Sequence, residues 1–209
     1  MSLRQWLKER DYDAEDCIVI TIETTHYNTD KGDLLCVSVA DPATDEINSY
    51  AITGIGSESI DKNSKYTGIS SKHYTDMERK HAGALEDLLF KVLKNKKFVV
   101  GFALDAPAPS GQFTRTWMDL HFPGIFRPVE TLDLTMLHKL LDKDRHISAV
   151  PQTITELTEY IALSHPKHTG YTYGKILPLY LPAVRDSALL YKNKIEDVFD
   201  LYKTILDRL

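Results

Sequence analysis

The chain has 209 residues, 43% hydrophobic and 26% charged, the balance of a soluble globular protein long enough to bury one sizeable core. Two cysteines, Cys17 and Cys36, exclude a disulfide scaffold, and no apolar run approaches the ~20 residues that a membrane span requires. With 25 basic against 30 acidic side chains the net charge is −5, which excludes a surface uniformly attractive to nucleic acid and leaves room only for a local basic strip. No basic start leads into an apolar export segment, so a reduced, cytoplasmic setting is expected.

Met1 to Asp13 reads as a short polar helix, an N-terminal extension over residues 1–15 to a single domain spanning 16–209. Cys17 to Glu23 (CIVITIE) is rich in β-branched residues with little alternation, the pattern of a strand buried on both faces. Asp33 to Ala40 and Glu46 to Ile52 are two further strands. The links between them, 28–32 and 41–45, are too short for a parallel crossover, so the three strands are expected to be antiparallel. Leu85, Leu88, Leu89, Val92 and Leu93 then recur at steps of three and four and predict an amphipathic helix over 84–93. Phe98 to Ala103 is again a buried strand, followed by a proline- and glycine-marked loop over 106–111. A helix over 113–120 and a short strand over 128–132 follow. Helices are expected over 134–141 and 153–163, and an irregular loop over 165–182. Ile195, Val198, Phe199, Tyr202, Ile205, Leu206 and Leu209 fit one stripe of a final helix. The sum is an α/β mixed sheet, three antiparallel strands and then parallel ones, with helices packed on its faces.

Three acidic residues stand where such elements end. Glu23 closes the first buried strand, Asp105 follows the second central strand by two residues, and Asp197 lies in the first turn of the final helix. If the first and fourth strands are neighbours, Glu23 and Asp105 converge, and a final helix crossing that face adds Asp197. Carboxylates gathered this way repel one another, and divalent metal is the usual remedy. Two Mg²⁺ ions ~4 Å apart can stabilise both the attacking and the leaving oxygen of a phosphodiester. Each acid also has a plainer use. Asp197 complements a helix dipole, Glu23 ends a strand, and Asp105 initiates a proline turn. The eight histidines form no tight ligand pair, and Gly54-Ile55-Gly56 lacks the further glycine and following helix of a phosphate loop.

The order of these segments resembles that of the DEDD 3′–5′ exonucleases, which have a ribonuclease H-like fold. Ile20-Thr21-Ile22-Glu23-Thr24-Thr25 is similar to the opening Asp-x-Glu-Thr-Thr/Ser motif of that family, and Tyr66-Thr67-Gly68-Ile69-Ser70 to its His-x-Gly-Ile-Thr element. Val99-Val100-Gly101-Phe102-Ala103 with Leu104-Asp105 resembles Val-Gly-His-Asn…Phe-Asp with residues missing. Glu130-Thr131-Leu132-Asp133-Leu134 resembles Asp-Thr-Leu-x-Leu. Lys192-Asn193 and Glu196-Asp197-Val198 resemble the closing His-Asn…Asp-Ala. The resemblance implies a metal-dependent exonuclease acting on single-stranded DNA or RNA ends. Glu23, Asp105 and Asp197 would then be both the catalytic residues and the ligands of Mg²⁺ or Mn²⁺.

The chain departs from that pattern at two places. Residues two apart on a strand face the same way, so Thr21 stands where the family carries its first Asp, beside Glu23. Lys192 and Asn193 occupy the positions of the general-base His or Tyr, with Tyr191 out of register. A water-activating base alone is worth ~10²–10⁴-fold. The alternative expectation is therefore a catalytically inactive relative that serves as a nucleic-acid- or protein-binding module. A third reading, a partner-binding protein unrelated to nucleic acid, is favoured by the net charge of −5. Against it stand Lys94, Lys96 and Lys97 beside the fourth strand, and Lys192 and Lys194 near the acidic site.

Overall fold

The computed structural model describes residues 3–26, 28–67, 69–101, 104, 113–134, 195–196, 198–203 and 206. In chain order these form α1 (Leu3–Glu9), β1 (Cys17–Thr24), β2 (Leu34–Asp41), β3 (Glu46–Ile52), α2 (Ser57–Thr67), α3 (Ser71–Asp76), β4 (Glu78–Lys80), α4 (Ala82–Leu93), β5 (Phe98–Gly101), α5 (Phe113–His121) and β6 (Glu130–Asp133). Helical turns follow at 195–196 and 198–203. The expected segments at 106–111, 135–141, 153–163 and 165–182 lie outside the described residues.

The strands make one six-stranded sheet in the order β4-β3-β2-β1-β5-β6. β1 pairs antiparallel with β2 and β2 with β3, while β5 lies parallel to β1 and β6 parallel to β5. The fold is thus α/β, with the antiparallel-then-parallel sheet and the helix-covered faces of a ribonuclease H-like architecture. Among the described residues, no helix is long and apolar enough to cross a membrane.

Three elements have no counterpart in the hydrophobic pattern. α2 (SESIDKNSKYT) is too polar to show a periodic stripe, α3 is six residues long, and β4 contributes only Glu-Arg-Lys at the sheet edge. Specific polar contacts organise them instead. Ser70 caps α3 in a capping box with His73, and Asp61 of α2 accepts hydrogen bonds from the Ser71 backbone N–H (2.7 Å) and hydroxyl (2.8 Å). The Tyr74 hydroxyl donates to the Ile52 carbonyl and so ties α3 to the end of β3.

Two helical layers sandwich the sheet because β1 alternates. Ile18, Ile20 and Ile22 face one side, packed with Val37, Val39 and Val99 beneath Leu85, Leu89 and Leu93 of α4 and Trp117 and Met118 of α5. Cys17 and Val19 face the other, with Ala40, Phe98, Val100 and Leu132 beneath Val198, Phe199 and Tyr202 of the final helical turns. The amino-terminal helix belongs to this second layer. Trp6 and Leu7 are buried in it, the Trp6 ring stands edge-on to Phe98 at 5.6 Å, and Tyr12 stacks on Phe98 at 5.5 Å. Trp6 and Leu7 of α1, with Tyr12 and Ala14 after it, thus pack against the core of the sheet. The Tyr202 hydroxyl donates to the Ala14 carbonyl (2.8 Å), and Lys203 meets Asp45 of the β2–β3 turn at 3.1 Å.

Phe98 is 0% exposed and joins α1, the sheet and the final turns. Truncating it leaves a cavity that three elements cannot all close. Phe98→Ala is predicted to cost about 3–5 kcal/mol in denaturant unfolding; a loss below about 1 kcal/mol would show that the amino-terminal layer packs loosely.

His121 at the end of α5 stacks on Trp117 (5.9 Å, 9° between planes). Burial holds its imidazole below the ordinary value of 6.5, with Asp33 opposing the shift. The folded chain therefore binds this proton less readily than the unfolded chain. The stability tied to neutral His121 is complete above pH 6.5 and is lost as pH falls through the lower folded value. His121→Gln is predicted to flatten the decline of Tm between roughly pH 7 and 5, and an unchanged slope would contradict this.

Candidate functional site

The face of β1 that carries Cys17 and Val19 also carries Thr21 and Glu23, since side chains alternate along a strand. Cross-strand pairing extends this face over β2 and β3 in three rows. Val19 is paired with Ala40 and Ala40 with Ile47, Thr21 with Ser38 and Ser38 with Ser49, Glu23 with Cys36 and Cys36 with Ala51. The first row lies in the apolar layer under the final helical turns. Cys36 and Ala51 of the third row belong to a separate cluster with Leu35, Ile60, Ile69, Tyr74 and Met77. The middle row is a band of hydroxyls between two apolar clusters, with Ser38 and Ser49 joined by a 2.7 Å hydrogen bond.

Glu23 borders that band and is only 6% exposed. Thr21 is the one half-buried residue of β1, the others being buried, and Ser38 is 2% exposed. A carboxylate this buried is costly unless other groups compensate its charge. The α2–α3 unit gives the site one wall. Its Asp61–Ser71 contacts and capping box fix the turn from which Ile69 enters the cluster beside Cys36. Within residues 66–70, Ile69 supplies the buried anchor and Ser70 the helix cap.

Just beyond Glu23 the register shifts and β1 leaves the sheet through a pinned hairpin. The Thr25 N–H donates to the Asp33 carbonyl (2.9 Å), and the Asp33 N–H donates to the Thr25 hydroxyl (2.7 Å). The Thr24 hydroxyl donates to the His26 carbonyl, and His26 Nδ1 accepts from the Asn28 N–H at 3.0 Å. Gly32 lies directly against this turn. A Cβ there would stand 2.6 Å from the His26 Cβ and 2.8 Å from its backbone nitrogen.

Of the three predicted acids, the structure places Glu23; Asp105 and Asp197 lie outside the described residues, as do Tyr191, Lys192, Asn193 and Lys194. Beside position 197, Val198 is fully buried in the layer with Cys17 and Val19, and Glu196 is half-buried. The helical turns flanking Asp197 therefore pack on the same face of β1 as Glu23. Leu104, the residue before Asp105, is buried in the layer under α4 and α5. Among the described residues, no group of three or more His, Cys, Asp and Glu side chains could hold a metal.

The lysine run sits elsewhere. Lys96 pairs with Asp41 (2.7 Å) and donates to the Glu15 carbonyl, and Lys97 pairs with Asp16 (2.8 Å) and donates to the Asp11 carbonyl. The Lys97 hydrogen bond holds the Asp16 carboxyl below its ordinary value. Phe98 is aligned with Cys17, so this cluster marks the opposite end of β1 from Glu23. Six residues at ~3.3 Å each separate the two ends by roughly 20 Å. These lysines clamp the amino-terminal segment to the sheet rather than lining the acidic face.

Asp133 is a buried acid that sequence reasoning passed over as a site. It is 4% exposed, aligned with Gly101 on β5, and Gly101 is aligned with Ile20. Leu132 and Leu134 face the layer under the final turns, so Asp133 faces the α4–α5 side, away from Glu23. Ser38, Ser49 and Cys36 were also missed. Their signal was the turn length between β1, β2 and β3, which fixes register only once the hairpin geometry is known.

No protein-family model and no curated protein matches the chain.

Because Gly32 packs on His26 and Thr25, Gly32→Ala must displace the hairpin that follows Glu23. A cost of about 1–3 kcal/mol is predicted from this overpacking, read as a lower midpoint in urea. An unchanged midpoint would show that the hairpin yields freely.

Proposed function

We propose that the chain is a metal-dependent 3′–5′ exonuclease of the DEDD kind acting on single-stranded nucleic-acid ends, with an attenuated site. The observation that carries this reading is the position of Glu23. It lies at the carboxyl end of a central strand, beside Thr21 and on the face over which the helical turns flanking Asp197 pack. The donors available are of the right kind. Glu23 supplies a carboxylate, Thr21 and Ser38 supply hydroxyls, and Asp105 and Asp197 would complete an oxygen ligand set suited to Mg²⁺ or Mn²⁺. When bound, such an ion polarises a phosphoryl oxygen and lowers the pKa of a coordinated water. The chain's own part is to hold Glu23 on the rigid central strand, to exclude bulk water with the Ile69 cluster on one side and the final turns on the other, and to present hydroxyls to the substrate.

A second reading rests on the middle row itself. Thr21, Ser38 and Ser49 are all neutral, and where the family carries its first Asp this chain has a hydroxyl opposite a hydroxyl pair. That composition favours a fold relative that binds without cleaving.

Labelled single-stranded DNA and RNA with saturating Mn²⁺ separate the two. The first reading predicts slow shortening from the 3′ end that disappears in Glu23→Ala. It also predicts a rise of at least about a hundredfold in Thr21→Asp, since a restored metal ligand should be worth no less than a catalytic base. Intact substrate with wild type and Thr21→Asp alike would eliminate the exonuclease reading. Retention of the oligonucleotide without cleavage, weakening steeply with salt as phosphate contacts do, would establish the binding module.

A further inference from the structure

We draw no further inference here: the strongest candidate outside the Glu23 face, the amino-terminal end of α4 where the Thr53 hydroxyl meets His81 Nδ1 at 2.8 Å beside the open Gly54 turn, is a helix terminus with no bound ion or buried unpartnered group to point to a ligand.

Discussion

The register of β1 against β2 and β3 is the constraint on which the rest of this molecule depends. β1 is buried on both faces, so its alternation assigns every residue to one helical layer or the other. A slip of one residue would turn Ile18, Ile20 and Ile22 toward the amino-terminal helix and send Glu23 into the α4–α5 core. The cross-strand pairs resist such a slip because the first two rows are chemically matched. Aliphatic residues meet aliphatic ones in the first row, and hydroxyls meet hydroxyls in the second.

The same register explains why a polar site can exist on a face otherwise filled with hydrophobic side chains. Two apolar clusters approach from opposite ends of that face, one built from α1 and the final turns and the other from α2 and α3. Small hydroxyl side chains occupy the band between them, where larger apolar residues would fuse the clusters into one core. Polar contacts hold the flanking units in position. Asp61 and Ser71 fix α3 to α2, while Lys203 and Asp45 fix the final turns to the β2–β3 turn. Exposed ion pairs are worth little singly, so the buried contacts of Tyr202 and Phe199 carry most of that second attachment.

Much of the sheet was legible because its strands obey simple rules. The β-branched run Cys17–Thr24 can only be a strand covered on both sides, and links of nine and four residues are too short for parallel crossovers. The four leucines and one valine at helical spacing marked α4 for the same reason. α2, α3 and β4 were illegible because a capping box, an Asp–Ser clip and a three-residue edge pairing define them, none of which leaves a hydrophobic period. The lysine run shows a different failure. Three lysines near a strand look like a phosphate-binding strip until Lys96 and Lys97 are seen spent on Asp41 and Asp16. Glu23 was readable from its place at the end of a buried strand. Its neighbours Ser38, Ser49 and Cys36 required the pairing register, which composition does not encode.

The proposed chemistry turns on one buried carboxylate sharing an ion with acids brought from distant parts of the chain. A crystal structure grown with Mn²⁺, read by anomalous scattering, tests that most directly. The account predicts an anomalous peak ~2.0–2.2 Å from a Glu23 carboxylate oxygen, bridged to Asp197 or Asp105, the range expected of a hard divalent ion on oxygen ligands. Glu23 and Asp197 at separate ends of the molecule, with no ion at either, would contradict it.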